Sequence, residues 1–343
     1  MKPLHIKNKK ALVWYDAGTG KHVRYGVAIA KKLRSLNYNV LLTTRDHRDT
    51  LSVASFLNER FSVYDKYDPT SLLTRLESGA RRQLAFCKAF EKNPPDIAVS
   101  HGSVDACRVA FGLGKPVITT VDTPYAEAVH RLTLPLSDYI IASNAIPKET
   151  LQAYNRKADV IGFDGVDEVA WIKDFKPRIK YSYGRPLIVI RQLEEKATYA
   201  KGKIDFVALA KKLTKLGKVV FLSRYEAIPA KNFIVPKEYV DSASLVAQAD
   251  LFVGVGGTIT REAALQGTPA IVIKVFQNQQ VNDYLAEKGF PIFNTQPSNT
   301  FKLAQKSLGH KQNVKHLLDR LENPTDVIAE IVNKIDKTVT HNK

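Results

Sequence analysis

The sequence predicts an α/β protein made of two Rossmann-like domains facing a cleft. Three observations predict it. Short β-rich apolar runs alternate with helical patterns along the chain, the signature of a parallel sheet covered on both faces. A charged segment with two prolines and a glycine, KDFKPRIKYSYGRP at 173–186, interrupts the alternation and reads as a linker. Several junctions where a strand meets a helix carry glycines beside polar residues, as ligand sites of such sheets do.

The elements follow in order. Residues 11–15 (ALVWY) form an apolar strand, and a glycine turn leads into a helix over about 21–36. A strand at 40–43, a helix at 50–58, a short strand near Val63 and a long helix from Thr70 to about Phe90 come next. Residues 96–99, 116–121 and 139–142 are further buried strands, with a helix at 104–111 between the first two. This first domain spans 1–172. After the linker the pattern restarts at 187–191, followed by a helix at 204–216, a strand at 219–223, a helix near 242–248, and strands at 251–255 and 270–275. The second domain spans 187–322. The remainder, 323–343, is a helix and tail, whose apolar periodicity over 324–335 predicts a helix folding back onto the first domain.

Bulk properties narrow the function classes. A chain of 343 residues has room for two ordinary domains. No apolar run approaches the ~20 residues of a membrane span. The basic, polar first ten residues lack the apolar core of a signal peptide, so the expected location is the cytoplasm, peripheral to a membrane at most. Two cysteines, Cys87 and Cys107, make no disulfide framework and show no metal-ligand spacing. The net charge of +17 reads as solvated helix surfaces, as attraction of anionic substrates, or as docking on an anionic membrane. Nucleic acid is the weaker partner, because no recognition motif and no interleaving of aromatic with basic residues is present.

The most informative stretch is VGVGGTITREAALQGTP at 253–269: a buried strand, a glycine-rich turn, a short helix and a second turn. Gly256, Gly257 and Thr258 let backbone N–H groups approach a diphosphate at a helix start. Glu262, about one turn further on, can accept hydrogen bonds from ribose hydroxyls. The bland alternative is a tight turn with Glu262 as a surface residue.

Four further clusters sit at strand ends. In DAGTGKHV at 16–23, Asp16, Gly18 and Gly20 shape an open turn, and His22 falls in the first helical turn, where the dipole favours a neutral imidazole base. A capping turn is the alternative, and the spacing excludes a P-loop. In SHGSVD at 100–105, Ser103 is a natural helix cap and His101 can line a cleft. In VDTPYAEAVHR at 121–131, Asp122 follows a strand, and Glu127, His130 and Arg131 share helical spacing suited to sugar recognition, to proton transfer, or to a surface salt bridge. In RQLEEK at 191–196, Arg191 could offer a delocalised fork to a diphosphate or lie in a solvated loop.

Together these positions resemble the GT-B-like superfamily, which includes MurG-type glycosyltransferases and the non-hydrolysing UDP-N-acetylglucosamine 2-epimerases. They look most like the archaeal domain-of-unknown-function family 354, over nearly the whole chain: the Asp16 to His22 turn, Thr44-Arg45-Asp46, Gly102-Ser103-Val104-Asp105-Ala106, Glu127-Ala128 with Arg131-Leu132-Thr133-Leu134-Pro135, and Gly256-Gly257-Thr258 with Arg261-Glu262-Ala263-Ala264. The resemblance to MurG-type enzymes lies in the glycine-rich loop ending in His22 and in Glu262 as the ribose glutamate. Against the epimerase pattern, Asp122 roughly takes the place of the second acid, Glu127 and Arg131 fit the third motif, and Ser103 stands where the first aspartate would be. The resemblance implies a metal-independent glycosyltransferase with no tightly bound cofactor, using a nucleotide sugar (a UDP-sugar by preference) and an unknown acceptor. His22 would be the general base, with Glu127 the alternative. A nucleotide-sugar epimerase using Asp122 and Glu127 stays open, as does a non-catalytic binder of nucleic acid or anionic membrane.

Overall fold

A computed structural model of the chain describes residues 10–192, 204–223, 232–275 and 279–341. It divides into two compact units, one running through Ala170 and resuming at Glu322, the other covering Trp171–Leu321.

The first unit is built from β1 (Leu12–Ala17), α1 (Gly20–Ser35), β2 (Asn39–Asp46), α2 (Arg48–Leu57), β3 (Ser62–Lys66), α3 (Leu72–Ala89), β4 (Ile97–Ser100), α4 (Val104–Gly112), β5 (Val117–Val121), α5 (Glu127–Thr133), β6 (Tyr139–Ser143), α6 (Lys148–Gln152) and β7 (Asp159–Phe163), with α7 (Val169–Ile172) at its boundary. The seven strands form one parallel sheet in the order β3-β2-β1-β4-β5-β6-β7. Helices cover both faces of a parallel sheet, and the central strands β4 and β5 are buried at every residue. Trp14 on β1 packs edge-on against Phe86 and Phe90 of α3, at 4.8 and 4.7 Å between ring centroids. Its indole N–H is satisfied by the Thr43 hydroxyl at 2.8 Å.

α1 begins where the Thr19 hydroxyl accepts from the His22 N–H, and it ends with Lys32 and Arg34 in its last turn, where cations suit the dipole. It lies close on the sheet because Gly26 has no side chain: a Cβ there would come within 2.4 Å of the Tyr15 ring. The C-terminal helix α14 (Pro324–His341) belongs to this unit and packs on α1, burying Ile328, Ile331, Val332 and Ile335. The apolar period read over 324–335 is the face that does so.

The second unit contains β8 (Leu187–Arg191), α8 (Phe206–Leu213), β9 (Lys218–Leu222), α9 (Ser242–Gln248), β10 (Leu251–Gly254), α10 (Thr258–Leu265), β11 (Ala270–Ile273), α11 (Gln280–Glu287), β12 (Ile292–Thr295), α12 (Thr300–Ser307) and α13 (Lys315–Arg320). Its parallel sheet has the order β12-β11-β10-β8-β9. Ile188, Ile190, Phe221, Val253 and Ile271 supply the centre of its core.

The architecture is therefore α/β with two parallel Rossmann-like sheets. Two strands, β7 and β12, were not legible in the sequence. Both are sheet edges, and neither is a continuous apolar run: β7 (DVIGF) buries only Phe163 fully, and β12 (IFNT) is half polar. β2 runs three residues beyond the expected 43, because Thr44, Arg45 and Asp46 continue the ladder as polar residues at a strand's carboxyl end. Among the described residues no helix is long and apolar enough to cross a membrane.

Candidate functional site

In an open α/β sheet the natural crevice lies outside the carboxyl ends of two neighbouring strands whose connections leave in opposite directions. The first unit has this switch between β1 and β4, and the second has it between β8 and β10. Asp16, Gly18, His22, His101 and Ser103 lie after β1 and β4, and Arg191, Gly256, Gly257 and Thr258 after β8 and β10, whereas Asp122, Glu127, His130 and Arg131 follow β5.

In the first unit Asp16, at the end of β1, is completely buried. It accepts from Arg82 Nη1 at 2.8 Å and Nη2 at 2.5 Å, from the Thr43 hydroxyl at 2.6 Å and from the Ser103 hydroxyl at 2.6 Å. Burial alone would raise its pKa. The Arg82 charge and these hydrogen bonds outweigh burial and hold the carboxyl below its ordinary range. Asp16 thus ties three elements together beneath the crevice. Ser103 caps α4, donates to Asp16, and also lines the crevice, as does Gly18. Gly20 sits against Asp49, which accepts from its N–H at 2.8 Å.

Lys21 and His22, in the first turn of α1, lead into a second cluster. The Lys21 ammonium bonds to Asp122, just past β5, and to Asp167 Oδ2 at 2.8 Å. His101 stands beside the same carboxylates, with Nε2 3.7 Å from Asp122 Oδ1 and 3.6 Å from Asp167 Oδ2. Its Nδ1 meets the Thr120 hydroxyl at 2.6 Å. The His22 ring packs edge-on against His101 at 4.7 Å, with Tyr25 on the other side at 5.5 Å from His101. Burial, and then the neighbouring His101 and Lys21, push the His22 pKa well below the usual imidazole range, against the pull of Asp122. His22 is therefore a neutral imidazole at neutral pH and able to accept a proton. The donor atoms of His101, Asp122 and Asp167 lie within 4.8 Å of one another, a set that could hold a divalent cation. The Lys21 ammonium already places a cation against both carboxylates.

α5 separates the three residues expected to share a face. Glu127 Oε1 accepts from Arg131 Nη2 at 2.6 Å and Nε at 2.9 Å, and this pair is exposed. His130, one position off the four-residue spacing, turns inward against Tyr154, and burial lowers its pKa.

In the second unit Gly256 and Gly257 follow β10 with φ of 101° and 91°, the left-handed region that favours glycine. A Cβ on Gly257 would meet nothing within 4 Å, so the loop is open on that side. α10 then starts at Thr258 with no side-chain cap and no acid in its first turn. Its leading N–H groups are thus left for another acceptor. The Thr260 hydroxyl in the same turn is buried and has no hydrogen-bond partner among the described residues. Glu262 is completely buried, with Oε1 accepting from the Trp171 indole at 2.9 Å and Oε2 from the Ser242 hydroxyl at 2.6 Å. Arg191 ends β8 and reaches the Leu222 carbonyl at 3.5 Å. Residues 193–196 of its motif lie outside the described residues.

Sequence reasoning missed Asp167, Thr120, Trp171 and Ser242. Asp167 lies in the loop after β7, a strand that was itself not legible. Lys21 was visible beside His22, and its position in the first helical turn was the available signal.

Two α/β units with parallel sheets and ligand crevices at their switch points define a GT-B architecture, and the solved structures similar to this one have it. The UDP-GlcNAc 2-epimerase of Methanocaldococcus jannaschii, in complex with UDP-GlcNAc and UDP, superposes with a TM-score of 0.69 at 16% identity, covering 94% of this chain and 99% of that one. The glycotransferase of kitacinnamycin gives 0.61 at 14% identity (95% and 99%), and MurG of Acinetobacter baumannii 0.53 at 15% identity (95% and 99%). At these identities the likeness shows the fold. The chain belongs to the family described as protein of unknown function (DUF354), which matches residues 11–337. An uncharacterized protein of Methanocaldococcus jannaschii is 32% identical over 340 residues, covering 93% of this chain and 97% of that protein.

Proposed function

We propose that this protein is a nucleotide-sugar-dependent glycosyltransferase of the GT-B type that works without a metal. The observation that carries this reading is the uncapped first turn of α10 behind Gly256 and Gly257, at the switch point of the second sheet. Backbone N–H groups there, with Thr258, suit a diphosphate, and Arg191 at the end of β8 adds a cationic fork. Glu262 takes the ribose. Ser242 orients one of its oxygens, and the ribose hydroxyls replace the Trp171 indole N–H on the other. UDP-sugars are the favoured donors, and structures with this fold include one holding UDP-GlcNAc and UDP.

In the reaction an acceptor hydroxyl attacks the anomeric carbon, the bond from that carbon to the diphosphate oxygen breaks, and the electron pair leaves with the diphosphate. Fixed donors at the α10 N-terminus stabilise that developing charge. The acceptor's proton passes to neutral His22, with Glu127 the alternative base. The Lys21 ammonium between Asp122 and Asp167 supports independence from a metal, since it supplies the positive charge those carboxylates need.

A thermal-shift panel of UDP, GDP, CMP and dTDP sugars tests this, with Glu262→Ala in parallel. A ligand at about 100 times its Kd should stabilise the native protein by roughly 2.7 kcal/mol. Equal stabilisation of the variant, or none of either protein, sinks the reading.

One observation favours a second reading, a nucleotide-sugar 2-epimerase: Asp122 and Asp167 flank His101, which makes an acid–base set for moving a proton on a sugar carbon. Conversion of a nucleotide sugar with no acceptor present would select it.

A further inference from the structure

A cavity of about 420 Å³ opens at the switch point of the first sheet, lined among others by Gly18, Thr19, His22, Arg45, Lys66 and Arg75. Arg45 leaves the end of β2 and lays its guanidinium over the Tyr67 ring, 3.6 Å from the ring centre. Its Nε is buried without a hydrogen-bond partner, and among the described residues its side chain has no carboxylate partner. Burial presses its pKa downward, against the pull of Tyr67, Asp16 and Asp105 and with the push of the Arg82 charge. The contrast with its neighbour is direct, since Arg82 in the same wall is neutralised by Asp16 and by Asp105 at 3.2 Å. Asp105 is the acid lining the cavity, and it is already engaged by Arg82 and by Gln83 at 3.0 Å.

The wall facing Arg45 is shaped for a small group. A Cβ on Gly18 would lie 3.9 Å from Arg45 Cζ and 3.8 Å from His22 Nδ1, so the missing side chain keeps that gap open. Among the described residues, His22 Nδ1 is buried without a hydrogen-bond partner. Asp49 already takes the Gly20 N–H at the start of α1, so the further positive charge comes from Lys66 and Arg75, exposed at the mouth. Leu76 also lines the mouth, and Leu72, Leu73 and Leu76 on α3 are 82%, 64% and 71% exposed.

We propose that this cavity binds a phosphate-class oxyanion of the acceptor, held by Arg45 with Lys66 and Arg75 at its mouth. An unpaired, partly buried guanidinium is costly by itself and is relieved by an anion that accepts from its fork. That the anion belongs to the acceptor rests on the transferase reading; that an oxyanion binds here does not. Two sources carry this chemistry, a soluble phosphate ester and a phospholipid headgroup whose chains lie over the exposed leucines.

The experiment titrates the full chain, without nucleotide sugar, with inorganic phosphate and with glycerol 1-phosphate, against chloride at matched ionic strength. Sedimentation with phosphatidylcholine vesicles, with and without phosphatidic acid, runs in parallel. Phosphate and its ester should raise the Tm where chloride does not. Arg45→Gln should lose at least tenfold in phosphate affinity while its ligand-free Tm holds or rises, because an uncompensated charge is gone; a purely structural arginine would lower that Tm. Arg45→Lys should bind with intermediate affinity. Should Arg45→Gln fail to fold, Lys66→Gln with Arg75→Gln should still weaken phosphate binding several-fold. Phosphatidic acid-dependent sedimentation lost in Leu72→Ser with Leu76→Ser assigns the lipid source, and its absence in the native chain assigns the soluble ester. Phosphate affinity equal in native and Arg45→Gln proteins, or no stabilisation beyond chloride, overturns the proposal. Nucleotide-sugar binding and its loss in Glu262→Ala are read separately, so failure of the transferase reading is distinguishable from failure of this one.

Discussion

The indole N–H of Trp171 donates to Glu262 Oε1 at 2.9 Å, and this places an aromatic donor on the carboxylate proposed to receive a ribose. Glu262 is completely buried, so the bond is worth more than its surface equivalent and leaves a costly hole if removed. Trp171→Phe keeps an aromatic side chain, though a smaller one, and deletes the donor. We expect a loss of about 1–3 kcal/mol in the urea unfolding free energy of the ligand-free protein. Because the ribose hydroxyls no longer compete with the indole, UDP-sugar affinity should rise, by up to about tenfold for a bond of about 1.4 kcal/mol. Weaker UDP-sugar binding by the variant would show that Trp171 orients Glu262 and does not stand in for the ribose.

Asp16 makes a separate prediction about acid stability. Four hydrogen bonds and the Arg82 charge keep its folded-state pKa below the unfolded value of about 3.9. A depressed carboxyl stabilises the fold above the unfolded value, and that contribution disappears as pH falls through the folded value. Asp16→Asn should cost about 3–5 kcal/mol near neutral pH, as breaking a buried ion pair does. Urea midpoints followed from about pH 7 to about pH 2 should converge for the two proteins at the acid end. Parallel curves would mean that the charge of Asp16 is not what stabilises it.

How much of this was legible depended on what a residue's neighbours in sequence could show. Buried parallel strands such as β4, β5 and β8 announce themselves as apolar runs, because helices cover them on both faces. The glycine turn at Gly256 and Gly257 was legible because a left-handed backbone calls for that residue type. The polar ends of strands were not, and β2 was cut short just before Arg45, which lines the crevice. Asp167 was invisible because only tertiary folding brings it to Lys21, 146 positions away. On α5, spacing alone grouped Glu127, His130 and Arg131, whereas one position on the helical wheel separates an exposed ion pair from a buried ring.

His22 carries the proposed proton transfer. Burial and nearby positive charge keep its pKa well below the imidazole value of about 6.5. Its neutral form therefore persists as pH falls through that value, and the transfer rate should show no loss from His22 protonation near pH 6.5. His22→Gln should lower the rate by about 10²–10⁴-fold with little change in UDP-sugar affinity. A reduction in affinity with an unchanged rate would move the base to Glu127.

Lys21 makes the last and sharpest test of the metal question. Its ammonium bonds to Asp122 and Asp167, and its side chain is only 12% exposed. Lys21→Met removes the charge and keeps most of the stem, which leaves two acids facing each other beside His101. The loss of a largely buried partner should destabilise the fold by about 3–5 kcal/mol. The same change withdraws the ammonium from an imidazole and two carboxylates whose donor atoms lie within 4.8 Å, a fair set for a first-row divalent cation. Mn²⁺ or Zn²⁺ should therefore raise the Tm of Lys21→Met and leave the native protein unmoved, because in the native protein the ammonium holds that position. A matching metal-dependent rise in the native protein would mean that the lysine yields to a metal, and the metal-independent mechanism would have to be abandoned.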